Sequence, residues 1–276
     1  MENTRTILKG LISLSIGAAL LGFSAIFVRI SETSPSTTAF YRAFLALPFL
    51  YLWIYFSREA INWNLDRRTI FIFLVSGIFF GADMAVWNWS IQFTSVAHAT
   101  LLANTAPIFV TLIAFTFLKQ KISKSFFFFL LLAMSGVYLV ISSGSGGNEK
   151  RLFGDYLGIA AAVFYAGYIL SVKRLTDQIP PSQVLFFSTL VTALFLFPIS
   201  FIESDSLFPG TSEGWSVLFG YALVSQVIGS GLITFGISKL SAHLSSLVLL
   251  IQPVAAAVFG WVILSEKLIS TQIFGG

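Results

Sequence analysis

Polar residues punctuate this chain rather than alternate with its apolar ones. Predominantly apolar stretches recur at 9–29, 36–57, 69–91, 96–118, 124–142, 155–173, 182–202, 214–237 and 242–264. Crossing about 30 Å of hydrocarbon takes a helix of about 20 residues. In hydrocarbon every backbone N–H and C=O must be satisfied within the segment, and a helix does that. The pattern therefore predicts nine membrane spans, numbered 1 to 9 in that order. A tenth stretch starts near Leu268 and is expected to be cut short at Gly276. The longest connections are SREAINWNLDRR at 57–68 and the glycine- and serine-rich SSGSGGNEKR at 142–151. FFFF at 126–129 falls inside span 5 and is expected to face lipid. The first apolar run, at about 20 residues, exceeds the 7–15 of a cleaved leader. It is read as span 1.

The two halves repeat. A shift of 146 residues carries Pro35-Ser36 onto Pro181-Ser182, Phe40 onto Phe186 and Pro107 onto Pro253. The same shift carries LKQK at 118–121 onto LSEK at 264–267. One offset thus aligns both ends of a five-span unit. It divides the chain into a first repeat at 1–142, a linker at 143–153 and a second repeat at 154–276, incomplete at its end. Five is odd, so the second repeat enters the membrane from the opposite side. Inverted repeats of this kind recur in secondary transporters, where similar halves can exchange inward- and outward-open shapes.

Composition moves the picture further toward the membrane. Of 276 residues 56% are hydrophobic and 10% charged, against about 25% charged in a soluble domain. Mean hydropathy is +0.87. Thirty Phe and 6 Trp suit lipid-facing surface and interfacial belts. The chain has no Cys, which excludes disulfides and thiolate metal sites. The basic pI of about 9.4 reports orientation before it reports nucleic acid, and no nucleic-acid partner is expected. With the N-terminus in the cytoplasm, eleven Lys and Arg fall on the cytoplasmic side and four outside, with Arg42 alone inside a span. That bias predicts a multi-pass inner-membrane protein with a cytoplasmic N-terminus.

Two five-span units with PIFVTL in span 4 followed by KQK, and QPVAAAVFGWVILSEKL in span 9, resemble the drug/metabolite transporter superfamily, in its ten-helix EamA branch. The resemblance covers essentially the whole chain. It implies an all-α polytopic fold of two inverted five-helix repeats, here with the tenth helix truncated. It also implies a central cavity lined mainly by spans 1, 3, 4, 6, 8 and 9, and favours export of amino acids or related metabolites.

The candidate chemistry lies in the few polar groups inside spans. An ionisable group there is costly unless it meets a cavity or a partner. At about 1.5 Å per residue, Asp83 in span 3 lies roughly 12 Å from the outer end of its span. Arg42 in span 2 and Asn104 in span 4 lie at roughly 9 and 12 Å by the same rise. The shared level suggests a buried Arg42–Asp83 pair, each relieving the other's desolvation. That pair could be only a brace between helices. An Asp83 left without a partner would suit proton coupling, whereas one held by Arg42 would stay ionised. Trp87, four residues on, shares the Asp83 face and could stack on a solute or meet a cation. Trp89 is assigned to the interfacial belt, and Asn88 to hydrogen bonding between helices.

Neutral polar groups come from the second half: Tyr165 and Tyr168 in span 6, Gln226 in span 8 and Gln252 in span 9. Gln252 precedes Pro253, and Asn104 lies three before Pro107. Irregular backbone near such prolines is tolerated where a cavity is lined. The candidate substrate-binding set is therefore Asp83, Trp87, Arg42, Asn104, Tyr165, Tyr168, Gln226 and Gln252. His98 and His243 lack metal-ligand spacing and are read as interface or capping residues. Gly17, Gly22, Gly154 and Gly158 are read as close-packing positions. No phosphate-loop motif, metal cluster or cofactor motif is present in the sequence. The expected activity is secondary transport of a small amphipathic or zwitterionic metabolite, not catalysis. The alternative class, an integral-membrane enzyme or lipid-handling protein, would need clustered His, Asp or Glu at a membrane face, and the loops supply none.

Overall fold

The computed structural model describes residues 2–58, 61, 65–94, 96–116, 119, 127–128, 130–132, 134–136, 149–203 and 207–264. Among the described residues every regular element is helical. Eight are long and apolar enough to cross a membrane. They are Thr4–Ile30, Pro35–Phe56, Arg67–Phe93, Ala99–Thr116, Glu149–Thr176, Pro181–Glu203, Ser212–Lys239 and Ala242–Ile263. These match predicted spans 1–4 and 6–9 to within a few residues at most ends. Predicted span 5 lies largely outside the described residues, as do the linker and the tenth stretch. The described parts of span 5 between residues 127 and 136 are helical, with Phe127 and Phe128 exposed as a lipid-facing FFFF requires.

Helix starts follow local chemistry. Pro35 and Pro181 open spans 2 and 7, where a missing N–H costs no intrahelical bond. The Ser34 hydroxyl caps span 2 by accepting from the Thr37 N–H at 3.3 Å. The Thr211 hydroxyl caps span 8 by accepting from the Gly214 N–H at 3.0 Å. Several spans are interrupted. Span 1 breaks at Phe23 and span 2 at Leu45-Ala46. Span 4 breaks at Asn104-Thr105 and span 9 at Leu249-Leu250, each just before a proline of the repeat. The 146-residue shift carries 104 to 250, so the two breaks are counterparts. Discontinuous helices at corresponding positions of two repeats are a recurrent feature of transporter binding sites.

The packing is duplicated too. Span 3 packs against span 6, and the shifted pair, span 8 against span 1, packs likewise. Span 4 packs on span 6 as span 9 packs on span 1, while spans 2 and 7 pair with each other. Direction follows from which ends meet. Gly10 lies against Lys239 and Gly17 against Gly229, so spans 1 and 8 run antiparallel. Gly154 lies against Phe93 and Gly167 against Phe79, so spans 3 and 6 run antiparallel. Spans alternate direction along the chain, so span 3 runs with span 1. Span 6 therefore opens the second half in the opposite direction, and the repeat is inverted as the odd span count predicts.

Close approach at these crossings depends on small residues, as the readings of Gly17, Gly22, Gly154 and Gly158 anticipated. A Cβ on Gly17 would stand 2.8 Å from the Gly229 carbonyl oxygen, and one on Gly77 would stand 2.3 Å from Val191 Cβ. Between spans 3 and 7 the polar bridges are Ser76 to Ser188 at 3.0 Å and the Thr192 hydroxyl to the Gly77 carbonyl at 2.9 Å. Gly77→Ala should therefore lower unfolding stability in detergent by about 1–3 kcal/mol through overpacking. Gly210→Ala, whose Cβ would meet nothing nearer than Glu32 at 4.0 Å, should leave the midpoint unchanged.

Candidate functional site

Spans 1, 2, 3, 4, 6 and 9 line a cavity of about 40 Å³. Arg42, Asp83, Trp87, Asn104, Tyr165 and Gln252 line it, so six of the eight sequence candidates meet at one place. A water needs about 10–15 Å³ on this measure, so the space suits a few waters rather than a metabolite. Asp83, Trp87 and Phe80 come from one face of span 3, with Met84 filling between them. Extending the Asp83–Trp87 face back one turn would have found Phe80. Asn104 sits at the break in span 4, its amide nitrogen donating to the Thr100 carbonyl at 2.7 Å. Gln252 sits just past the matching break in span 9, its N–H bonded to the Leu249 carbonyl at 2.9 Å. The paired breaks bring an amide from each half to the cavity.

Arg42 does not pair with Asp83. Its Nε donates to Gln226 Oε1 at 2.9 Å, Nη1 to the Tyr221 hydroxyl at 3.2 Å and Nη2 to the Ser230 hydroxyl at 3.5 Å. The guanidinium lies 5.0 Å from the centre of the Tyr221 ring and 5.4 Å from that of Phe80. Among the described residues Asp83 has no ion pair within 4.0 Å. The brace expected between two charges is instead built between one charge and neutral groups of the other half. Asp83 is left facing the cavity.

The backbone of span 8 explains why. Residues Ala222–Gly229 form a π-helix. Nine residues separate Tyr221 from Ser230, about two and a half turns of an α-helix, which would set them on opposite faces. The wider i→i+5 turn brings both round to Arg42 together with Gln226. Ser230 in turn donates to the Ser225 carbonyl at 3.1 Å. Gln226 is 0% exposed and does not line the cavity. It spends its other end on Thr189 of span 7, donating at 3.0 Å. Tyr168 also stands behind the cavity wall. It stacks on Phe80 with centroids 4.3 Å apart, and on Tyr165 at 6.0 Å. The i,i+3 tyrosines do share a face, but only Tyr165 reaches the space.

Among the neighbouring polar residues, Asn88 makes the hydrogen bond between helices expected of it. Asn88 is buried and its side-chain nitrogen donates to the Pro35 carbonyl at 2.7 Å, a tie between spans 3 and 2. Trp89 is 39% exposed, with its indole N–H donating to Ser36 at 3.3 Å. His243 is hydrogen bonded to Ser241 at 3.1 Å. The His98 side chain lies outside the described residues. Among the described residues no three His, Cys, Asp or Glu side chains gather as a metal would require. The site offers a carboxylate outside ion-pair distance of the Arg42 guanidinium, aromatic faces, two amides, and that guanidinium already oriented by its own partners.

These roles separate by stability. Gln226→Leu removes an acceptor from a buried guanidinium and should cost about 1.5–3 kcal/mol. Asp83→Asn removes no ion pair within 4.0 Å among the described residues and should not lower stability as Gln226→Leu does. Unfolding midpoints of both variants in the same detergent check the contrast.

Comparison with known proteins agrees with this architecture. The EamA-like transporter family model matches residues 8–142 and again 152–276. The uncharacterized transporter YetK of Bacillus subtilis is 28% identical, over 92% of this chain and 79% of its own. The pseudopaline exporter CntI of Pseudomonas aeruginosa is 25% identical, over 92% of this chain and 88% of its own. The threonine/homoserine exporter RhtA of Salmonella typhimurium is 25% identical, over 83% and 74%. One crystal structure superposes on 99% of this chain and 92% of its own with a TM-score of 0.79, at 13% identity, and so shares the fold. With two copies of the family pattern laid on two copies of one helical unit, the chain belongs to the EamA-like transporter family.

Proposed function

We propose that the protein is a secondary transporter that exports a small amphipathic or zwitterionic metabolite, an amino acid or a related compound, by alternating access through the central cavity. The observation that carries this reading is the Asp83 carboxylate, which lines the cavity beside Trp87 and Tyr165 with no ion pair within 4.0 Å among the described residues. A carboxylate next to aromatic faces suits an amine. Arg42, on the same wall, suits a carboxylate at the other end of the solute. The aromatic rings suit an apolar part between them. Two relatives bear names for export, one of them for threonine and homoserine, both zwitterions.

Alternating access is supported by the inverted halves and by the small size of the cavity. A space of about 40 Å³ must widen before it admits a metabolite. Asp83 is also where we place proton coupling, because it is the carboxyl that lines the cavity. In this reading the protein lies in the inner membrane with its N-terminus in the cytoplasm, as the eleven-to-four excess of Lys and Arg favours.

Uptake into proteoliposomes with a panel of amino acids and related zwitterions tests the proposal. Asp83→Asn and Trp87→Ala should each lower the rate by about tenfold or more, as the loss of about 1.4 kcal/mol of binding would. Asp83→Asn should also abolish stimulation by a pH gradient, and Trp89→Phe should change little. Full transport by both cavity variants would move the site elsewhere. No accumulation or counterflow of any solute in the panel would sink the transport reading.

A further inference from the structure

The shift that relates the halves also relates the two ends of the molecule. At one end Glu32, in the loop between spans 1 and 2, reaches the start of span 8. Its carboxylate accepts from the N–H groups of Gly210 and Thr211 at 3.0 and 3.1 Å and from the Thr211 hydroxyl. It lies so close to Gly214 that a Cβ there would stand 2.5 Å from Oε2. A carboxylate of the protein thus fills the cradle at that helix start.

Shifted by 146 residues, Glu32 becomes Gln178 and Gly214 becomes Arg68. The structure brings these two together as the shift requires, at the start of span 3 and the end of span 6. There, however, they line a cavity of about 260 Å³ with Asp66, Thr69 and Arg174. The position of Glu32 has lost its charge, and the cradle has gained two guanidinium groups. The start of span 3, above all the Thr69 side chain, engages Asp66 and holds its carboxyl below the usual range. Asp177 on the adjoining turn pairs with Lys173 at 3.0 Å. Among the described residues neither Arg68 nor Arg174 has a carboxylate within 4.0 Å.

We propose that this pocket binds a phosphoryl group between Arg68 and Arg174, carried by an anionic phospholipid headgroup or by free phosphate. The bound anion stands where Glu32 stands at the other end and ties span 3 to span 6. Guanidinium groups present planar pairs of donors that match phosphate oxygens. Basic pockets between spans on the cytoplasmic side are suited to acidic headgroups. Charge separates this pocket from the central cavity, which carries one cation and one carboxylate. The site does not depend on what the cavity transports.

Thermal unfolding of the full chain in detergent tests the proposal, with phosphatidylglycerol, phosphatidylcholine or inorganic phosphate added in turn. Phosphatidylglycerol should raise the midpoint and phosphatidylcholine should not. The double variant Arg68→Gln/Arg174→Gln should weaken the apparent affinity by about tenfold or more. An equal response to phosphate alone would assign the anion to solution, and a response to the lipid alone would assign it to the membrane. Gln178→Glu restores the carboxylate found at the other end. It should abolish the response without lowering the midpoint measured in phosphatidylcholine, and it decides the matter if the double variant does not fold. The proposal is overturned if phosphatidylglycerol and phosphate both leave the midpoint unchanged, or if Gln178→Glu responds as the parent does.

Discussion

A guanidinium placed inside a membrane protein must be satisfied, and the way Arg42 is satisfied determines the rest of the site. Isolated there, its charge would cost several kcal/mol. The economical partner is Asp83, which lines the same cavity. The protein instead surrounds Arg42 with Gln226, Tyr221 and Ser230 of span 8 and two aromatic faces. Hydrogen bonds to a charged group are worth about 1.5–3 kcal/mol each, so neutral partners suffice when several converge. Their convergence depends on the π-helical turns of Ala222–Gly229. Because Arg42 is held from the other half, Asp83 keeps its carboxylate toward the cavity.

The halves therefore share a backbone plan but not a chemistry. Inverted pairs of spans, with matching breaks in spans 4 and 9, make the cavity a meeting place for both repeats. Its charged members, Arg42 and Asp83, come from the first half. The second contributes Tyr165 and Gln252 to the wall, with Tyr168 and Gln226 behind it. The shift carries Asp83 to Gly229, which packs against span 1 near Gly17 and Leu21. Where one repeat places a carboxylate, its counterpart places a close helix crossing.

Much of the fold was legible because hydrocarbon leaves so few options. Long apolar runs gave the described spans to within a few residues at most ends. A single offset gave the repeat, and its odd span count gave the inversion seen where Gly154 meets Phe93. The site was legible only in part. Depth along regular helices placed Asp83, Arg42 and Asn104 at one level, and they do meet. Pairing by charge then misled, since opposite charges on neighbouring spans suggest an ion pair that the span 8 network makes unnecessary. Gln226 illustrates the limit. Read at 3.6 residues per turn, nothing in GYALVSQVIGSG distinguishes a cavity amide from one turned toward Arg42. Local widening of a helix depends on tertiary partners, which the sequence pattern does not display.

A structure with a transported solute bound tests the central claim most directly. The account predicts the polar end of the solute within hydrogen-bonding distance of Asp83, against Trp87 and Tyr165, with Arg42 still bonded to Gln226. A solute bound away from this cavity, or an Arg42 released from Gln226 to pair with Asp83, would contradict it.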